Sequence, residues 1–214
     1  LKTYDGYLFD LDGTLVDTAP DINAALNHAL TGHGAVPVDE ELTRHWVGHG
    51  ARALVGEAIK AQQLDNSLAE PMYESFLEYY SGHLSVLSAP YPSVVETLQT
   101  LRDRGARLAV VTNKLALFTE PLLAELELTD SFDAIVCGDT AANPKPAADP
   151  AFFACEALNV TPAAALFVGD STTDVDCARA AGCPVVVVRD GYNHGTPAAE
   201  LGADAVIESF SDLV

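Results

Sequence analysis

The hydrophobic pattern changes period twice along the chain. Tyr7-Leu8-Phe9 is a short apolar run that ends in the acidic segment Asp10-Leu11-Asp12-Gly13-Thr14. From about residue 18 to about residue 85 the period is helical. Ile22, Ala25, Leu26, Ala29 and Leu30 fall at i, i+3, i+4, i+7 and i+8, and Ala51, Leu54, Val55, Ala58 and Ile59 repeat that spacing. Met72, Phe76, Tyr79 and Tyr80 mark a further amphipathic helix, and no strand pattern occurs in this stretch. Ser85–Ser93, with Pro90 and Pro92, reads as the linker out of it.

Beyond the linker, strand and helix alternate. Ser93 and Glu96 have capping-box spacing, Val94, Val95, Leu98 and Leu101 form the stripe expected to be buried, and Gly105 suits the position after a helix end. Leu108–Thr112, Ala134–Cys137, Ala165–Val168 and Val185–Val188 are short and almost wholly apolar. Such runs, separated by helical stretches at Phe118–Leu126 and Ala151–Leu158, are the pattern of a parallel sheet covered on both faces. Ala205–Ile207 predicts a short edge strand. The expected fold is therefore α/β: a doubly wound parallel sheet made from residues 1–15 and 88–214, with a helical cap inserted over residues 16–87.

In sheets of this class ligands bind at the carboxyl ends of the strands. The first predicted strand ends in Asp10-Leu11-Asp12-Gly13-Thr14 and the second in Thr112-Asn113-Lys114. Lys145-Pro146 follows the third, and the fourth ends in Gly169-Asp170-Ser171-Thr172-Thr173-Asp174. A lone Asp after a strand is usually a turn or helix cap. Four carboxylates on one rim with a hydroxyl and a lysine are a different matter, because like charges so placed repel unless a cation holds them. Hard oxygen donors imply Mg²⁺.

The charge balance sharpens this picture. The 214 residues carry 11 basic and 31 acidic side chains, a formal charge of −20. Such a surface repels phosphate backbones and anionic lipid, which argues against nucleic-acid or membrane partners. The given sequence opens on no signal pattern, and its four cysteines form no C-x-x-C pair; both features predict reduced, buried thiols in a cytoplasmic protein. Only four lysines occur, and Lys114 and Lys145 both follow strands on the acidic rim, where an anionic substrate needs positive potential.

Three other signals carry no function. Gly48-His49-Gly50-Ala51-Arg52-Ala53 imitates a dinucleotide fingerprint but follows a helical pattern instead of a strand. His45 and His49 have zinc-helix spacing, but Trp46 stands where the glutamate belongs. Asn159-Val160-Thr161 matches a glycosylation sequon that has no use in the cytoplasm.

The set Phe9-Asp10-Leu11-Asp12-Gly13-Thr14-Leu15-Val16, Thr112-Asn113, Lys145 and Gly169-Asp170-x-x-x-Asp174 resembles the four motifs of the haloacid dehalogenase superfamily, in order and over essentially the whole chain. The resemblance implies a Mg²⁺-dependent phosphomonoester hydrolase. Asp10 would be the nucleophile and Asp12 the general acid and base. Asp10, the backbone carbonyl of Asp12 and Asp170 would hold the metal, with Asp174 completing or orienting the set. Thr112, Asn113 and Lys145 would bind the phosphoryl group.

The helical insert resembles the small cap of the phosphoglycolate phosphatase and β-phosphoglucomutase branches. Ala19-Pro20-Asp21, His45–Ala51 and Gly191–Gly195 resemble the first branch more closely. A small phosphorylated metabolite is the implied partner, 2-phosphoglycolate above all, handled by a monomer or homodimer. His49, Arg52 and Lys114 are the candidates for reading its carboxylate. A sugar or amino-sugar phosphatase, a phosphomutase, and a non-catalytic Mg²⁺-binding protein of the same fold are the alternatives.

Overall fold

The structure is a computed structural model, and residues 2–214 are described. In chain order the elements are β1 (Gly6–Phe9), β2 (Val16–Asp17), α1 (Ala19–Gly32), α2 (Glu40–Trp46), α3 (Ala51–Ala61), α4 (Ala69–Ser81) and β3 (Ala89–Pro90). Then follow α5 (Val94–Asp103), β4 (Arg107–Val111), α6 (Ala116–Glu125), β5 (Ala134–Val136), α7 (Asp149–Leu158), β6 (Ala165–Gly169), α8 (Thr172–Ala181), β7 (Val185–Val188) and β8 (Ala205–Ile207). Six strands form one sheet in the order β5-β4-β1-β6-β7-β8, every neighbouring pair parallel. This is the α/β arrangement expected from the apolar runs.

Alternation along each strand explains why both faces are covered. Tyr7 and Phe9, Leu108 and Val110, and Leu166 and Val168 enter one hydrophobic core. The residues between them, Leu8, Ala109 and Phe167, enter the other. On the first face lie α5 and α6 through Leu98, Leu101, Phe118 and Leu122, and this core continues into the helical section through Ile22, Leu26, Leu54, Met72 and Phe76. On the second face lie α7 and α8 through Ala154, Cys155, Leu158, Cys177 and Ala178. All four cysteines are free and buried. Among the described residues no helix is long and apolar enough to cross a membrane.

Between β2 and β3 the chain is helical, and the two-residue strands pair antiparallel, Val16 with Pro90 and Asp17 with Ala89. The segment read as a plain linker therefore contains a strand, too short to show any alternation. Asp21, at the start of α1, accepts hydrogen bonds from the Leu87 and Ser88 amides and from the Ser88 hydroxyl, which fastens the exit of the helical section to its entrance.

Two local expectations are corrected. Ser93 sits in the left-handed region at φ 66° and makes no side-chain cap, so the predicted capping box does not form. The Val94 amide is engaged instead by the Tyr91 carbonyl in a turn imposed by Tyr91-Pro92. Val95 is 52% exposed, because the helix begins one residue after Ser93 with Val94, Leu98 and Leu101 inward, and Val95 lies about 100° away around its axis. The reciprocal arrangement expected there occurs at α8, where Asp174 accepts from both the amide and the hydroxyl of Ser171.

Leu108 is fully buried on β4. Leu108→Ala should cost about 2–5 kcal/mol of unfolding free energy, measured by urea denaturation.

Candidate active site

Strand ends and one turn build the site. The Asp10 amide still donates to Val168 of β6, at 2.9 Å, so the first residue beyond β1 keeps the register of the sheet. The Leu11 carbonyl then accepts from the amides of Thr14, Leu15 and Val16, reversing the chain. Gly13 has φ 86°, and a Cβ there would lie 2.4 Å from Oδ2 of Asp170 and 2.6 Å from the Tyr192 ring. Only glycine serves this turn. β4 delivers Thr112, Asn113 and Lys114, the segment before α7 delivers Lys145, and β6 with α8 delivers Asp170 and Asp174.

Asp10, Asp170 and Asp174 are buried and each brings a carboxylate oxygen within 4.8 Å of the others. Lys145, 4% exposed, places its Nζ 2.7 Å from Oδ1 of Asp10 and 2.6 Å from Oδ1 of Asp174. The other oxygen of Asp174 accepts from the amides of Asp170 and Ser171 and from the Ser171 hydroxyl. Burial works against ionising Asp174, but Lys145 and these donors hold it below the usual carboxylate range. Asp170 accepts from the Thr14 hydroxyl at 3.0 Å and from the Tyr192 amide. Burial and the neighbouring Asp174 and Asp10 push it well above the carboxylate range. Burial also pushes Asp10 up to about 7, although Lys145 opposes the rise.

One lysine therefore faces three carboxylates. The donor set is all oxygen, closely spaced and short of positive charge, and it fits a hard divalent cation. Asp174, with both oxygens engaged, is placed to hold Lys145 and the Asp170 turn in position.

Asp12 turns away from this cluster. Its Oδ1 accepts from the Thr18 hydroxyl at 2.6 Å and from Lys114 Nζ at 2.8 Å. Lys114 is 8% exposed, and despite the opposing effect of burial the Asp12 charge raises its affinity for the proton. It is a buried partner of the site and not a solvated surface residue. Asp10, Asp12, Thr112, Asn113 and Lys114 share a cavity of about 50 Å³ with residues of α1, α3 and α4.

The predicted rim residues thus come together, with two differences. The Asn113 side chain donates to the carbonyls of Gly48 and Lys145 and accepts from the Lys145 amide, so it braces the Lys145 segment against the helical section. The candidates for reading a carboxylate divide: Lys114 lines the cavity, whereas His49 and Arg52 do not. Arg52 pairs with Glu70 and stacks on Tyr73 at the exposed face of α3. His49 is exposed between two glycines and lies 3.4 Å from the Thr173 hydroxyl, within reach of α8 instead of the cavity.

Sequence reasoning missed Thr14, Thr18 and Tyr192. The Tyr192 hydroxyl donates to Asp17 and accepts from the Thr18 and Ala19 amides at 2.9 Å, holding the first turn of α1, while Arg44 of α2 lies over its ring at 5.1 Å and pairs with Asp17 at 2.8 Å. The motif around Tyr192 was visible, but nothing in it revealed that partner 175 residues away.

Tyr192→Phe leaves two buried amides and Asp17 without that oxygen. It should cost about 1–3 kcal/mol in chemical denaturation while the far-UV circular dichroism spectrum is unchanged.

The comparisons with known proteins agree with this geometry. A haloacid dehalogenase-like hydrolase family model matches residues 7–188. The chain is 38% identical to a phosphoglycolate phosphatase of Colwellia psychrerythraea, covering 100% of this chain and 97% of that one. It is also 38% identical to an N-acetylmuramic acid 6-phosphate phosphatase of Pseudomonas aeruginosa, covering 97% and 92% of the two chains. A crystal structure of a "predicted phosphoglycolate phosphatase" from Haemophilus somnus superposes with a TM-score of 0.94 at 33% identity, over 100% of this chain and 97% of that one. With its motifs gathered on one rim and matched over their full extent, the chain belongs to the haloacid dehalogenase-like hydrolases.

Proposed function

We propose that this hydrolase removes the phosphoryl group from 2-phosphoglycolate, with Asp10 as nucleophile and Mg²⁺ as the cation of the Asp10–Asp170 cluster. The observation that carries the reading is the division of labour at the β1 turn. Asp10 points into the carboxylate cluster beside Lys145, and Asp12, two residues on, is hydrogen-bonded on the opposite side to Thr18 and Lys114. Nucleophile and acid thus approach one phosphoryl group from two sides. The substrate is supported by the 38% identical phosphoglycolate phosphatase and by the small cavity.

The chemistry follows from those positions. An Asp10 carboxylate oxygen attacks phosphorus, the bond from phosphorus to the ester oxygen breaks, and Asp12 gives its proton to the departing alkoxide. Water then attacks the phosphorus of the aspartyl-phosphate, Asp12 takes up its proton, and phosphate leaves with Asp10 restored. Lys145 and the Thr112 hydroxyl neutralise and orient the transferring oxygens. Asp10, the Asp12 carbonyl and Asp170 would hold Mg²⁺, which would supply positive charge to the transferring phosphoryl group. Asp174 and Asn113 keep Lys145 in place. Residues 16–87 act as a lid that excludes water from the reacting centre.

The P. aeruginosa relative acts on a larger phosphate ester by its name. A cavity of about 50 Å³ favours the smaller substrate. Phosphate release measured over a panel that includes both compounds and β-glucose 1-phosphate decides the matter: 2-phosphoglycolate should give the highest kcat/KM, and a higher value for either sugar phosphate would overturn the substrate assignment.

Asp10→Asn should abolish turnover and leave no phosphoryl group on the protein after acid quenching, read by intact-mass spectrometry. Asp12→Asn should slow turnover by about 10²–10⁴-fold in steady-state phosphate release. Arg52→Ala should change kcat/KM for 2-phosphoglycolate by less than about twofold, since an exposed pair with Glu70 contributes little.

A further inference from the structure

Polar and apolar side chains share the cavity: Asp10 and Asp12 line it together with Ile22, Leu54, Phe76 and Phe118. Among the lining residues is a buried tyrosine whose hydroxyl makes no hydrogen bond of good geometry. Tyr80, on α4, is 1% exposed, and its hydroxyl has no hydrogen-bond partner of good geometry among the described residues, with the Lys114 ammonium close beside it. A buried unpaired hydroxyl is destabilising, and in a native protein it calls for an explanation. The ring alone would fill the space between Phe76 and Phe118, which it meets at centroid distances of 5.4 and 5.1 Å, so packing does not account for the oxygen.

Two further donors converge on the same space. Lys114 Nζ, besides its bond to Asp12, lies 4.9 Å from the Tyr80 ring centroid. Gly48, Gly50 and Ala51 bring the start of α3 to the cavity wall. That 11-residue helix has no side-chain cap and no acidic residue in its first turn, so its first amides lack a side-chain partner. A hydroxyl, an ammonium and a helix N-terminus thus bring three kinds of hydrogen-bond donor to one cavity, in a protein whose formal charge is −20. Such a set suits an anion.

We propose that the Tyr80 hydroxyl, with Lys114 and the first amides of α3, binds the carboxylate that distinguishes 2-phosphoglycolate from a plain alkyl phosphate. The inference rests on the substrate reading above and names the group that executes it. Connectivity supports the placement. The carboxylate carbon of 2-phosphoglycolate is two bonds from the ester oxygen, and Lys114 is bonded to the residue that would protonate that oxygen. Burial pushes the Tyr80 hydroxyl up to about 12, so it stays a donor at neutral pH.

The test is kcat/KM for 2-phosphoglycolate and for ethyl phosphate, in the unaltered protein and in Tyr80→Phe, which keeps the ring. With 2-phosphoglycolate the variant should lose about 10- to 100-fold, chiefly through KM. With ethyl phosphate, which has no carboxylate, it should stay within about twofold. Calorimetric binding of 2-phosphoglycolate to the inactive Asp10→Asn protein should weaken by a similar factor when Tyr80→Phe is added. An equal loss on both substrates makes the hydroxyl structural and overturns the proposal. So does a variant that keeps the preference for 2-phosphoglycolate intact, with the substrate reading left standing. If the unaltered protein shows no preference for 2-phosphoglycolate over ethyl phosphate, that reading falls and this inference falls with it.

Discussion

Everything at the site follows from taking carboxylates out of water at the ends of parallel strands. Asp10, Asp170 and Asp174 are each at most 7% exposed, and among the described residues the only ammonium within salt-bridge reach of them is that of Lys145. Breaking a buried ion pair by removing one partner costs about 3–5 kcal/mol, so Lys145 is bound into the fold as firmly as into the site. It bridges Asp10 and Asp174, and that arrangement divides the roles. Asp174 becomes the fixed post, saturated by Lys145, by two amides and by a hydroxyl. Among the described residues Asp170 has no salt-bridge partner and Asp10 shares Lys145 with Asp174, so burial raises the affinity of both carboxyls for the proton, and a divalent cation in that place would favour their ionised forms.

The same economy of charge ties the helical section to the sheet. Asp170, whose neighbours strain against its ionisation, accepts from the Tyr192 amide, and the Tyr192 hydroxyl holds Asp17 and the start of α1. Asp21 clamps the return path, and Asn113 links the Gly48 carbonyl to the Lys145 backbone. The residues that carry charge in the core are thus one or two hydrogen bonds from the residues that seat the helical section.

Much of this was legible in the sequence, and for a physical reason. Strands covered on both faces are apolar at every position, so Leu108–Val111 and Val185–Val188 announced themselves, and the polar residues after them had to lie on one rim. The pairing of Val16–Asp17 with Ala89–Pro90 was not legible, because two residues have no period. Arg52 was a reasonable candidate by distance along the chain, but its phase sets it elsewhere: Ala51, Leu54 and Val55 face inward, and Arg52 pairs with Glu70. Lys114 needed the fold to show that it was buried. Tyr80 stood in an amphipathic stripe with Met72 and Phe76, and a stripe cannot say which of its aromatic residues carries an oxygen into a cavity.

On the proposed reading, the buried carboxylates are undercompensated by protein charge and a divalent cation completes them. Thermal unfolding at constant pH, with chelator and then with Mg²⁺ in excess, tests it most directly. At about 100 times its dissociation constant the ion adds about 2.7 kcal/mol, which for a chain of this size is about 5–10 °C in Tm. The same addition should leave the Tm of Asp170→Asn nearly unmoved. Equal unfolding temperatures of the unaltered protein with and without Mg²⁺, or an equal rise in Asp170→Asn, would contradict the account.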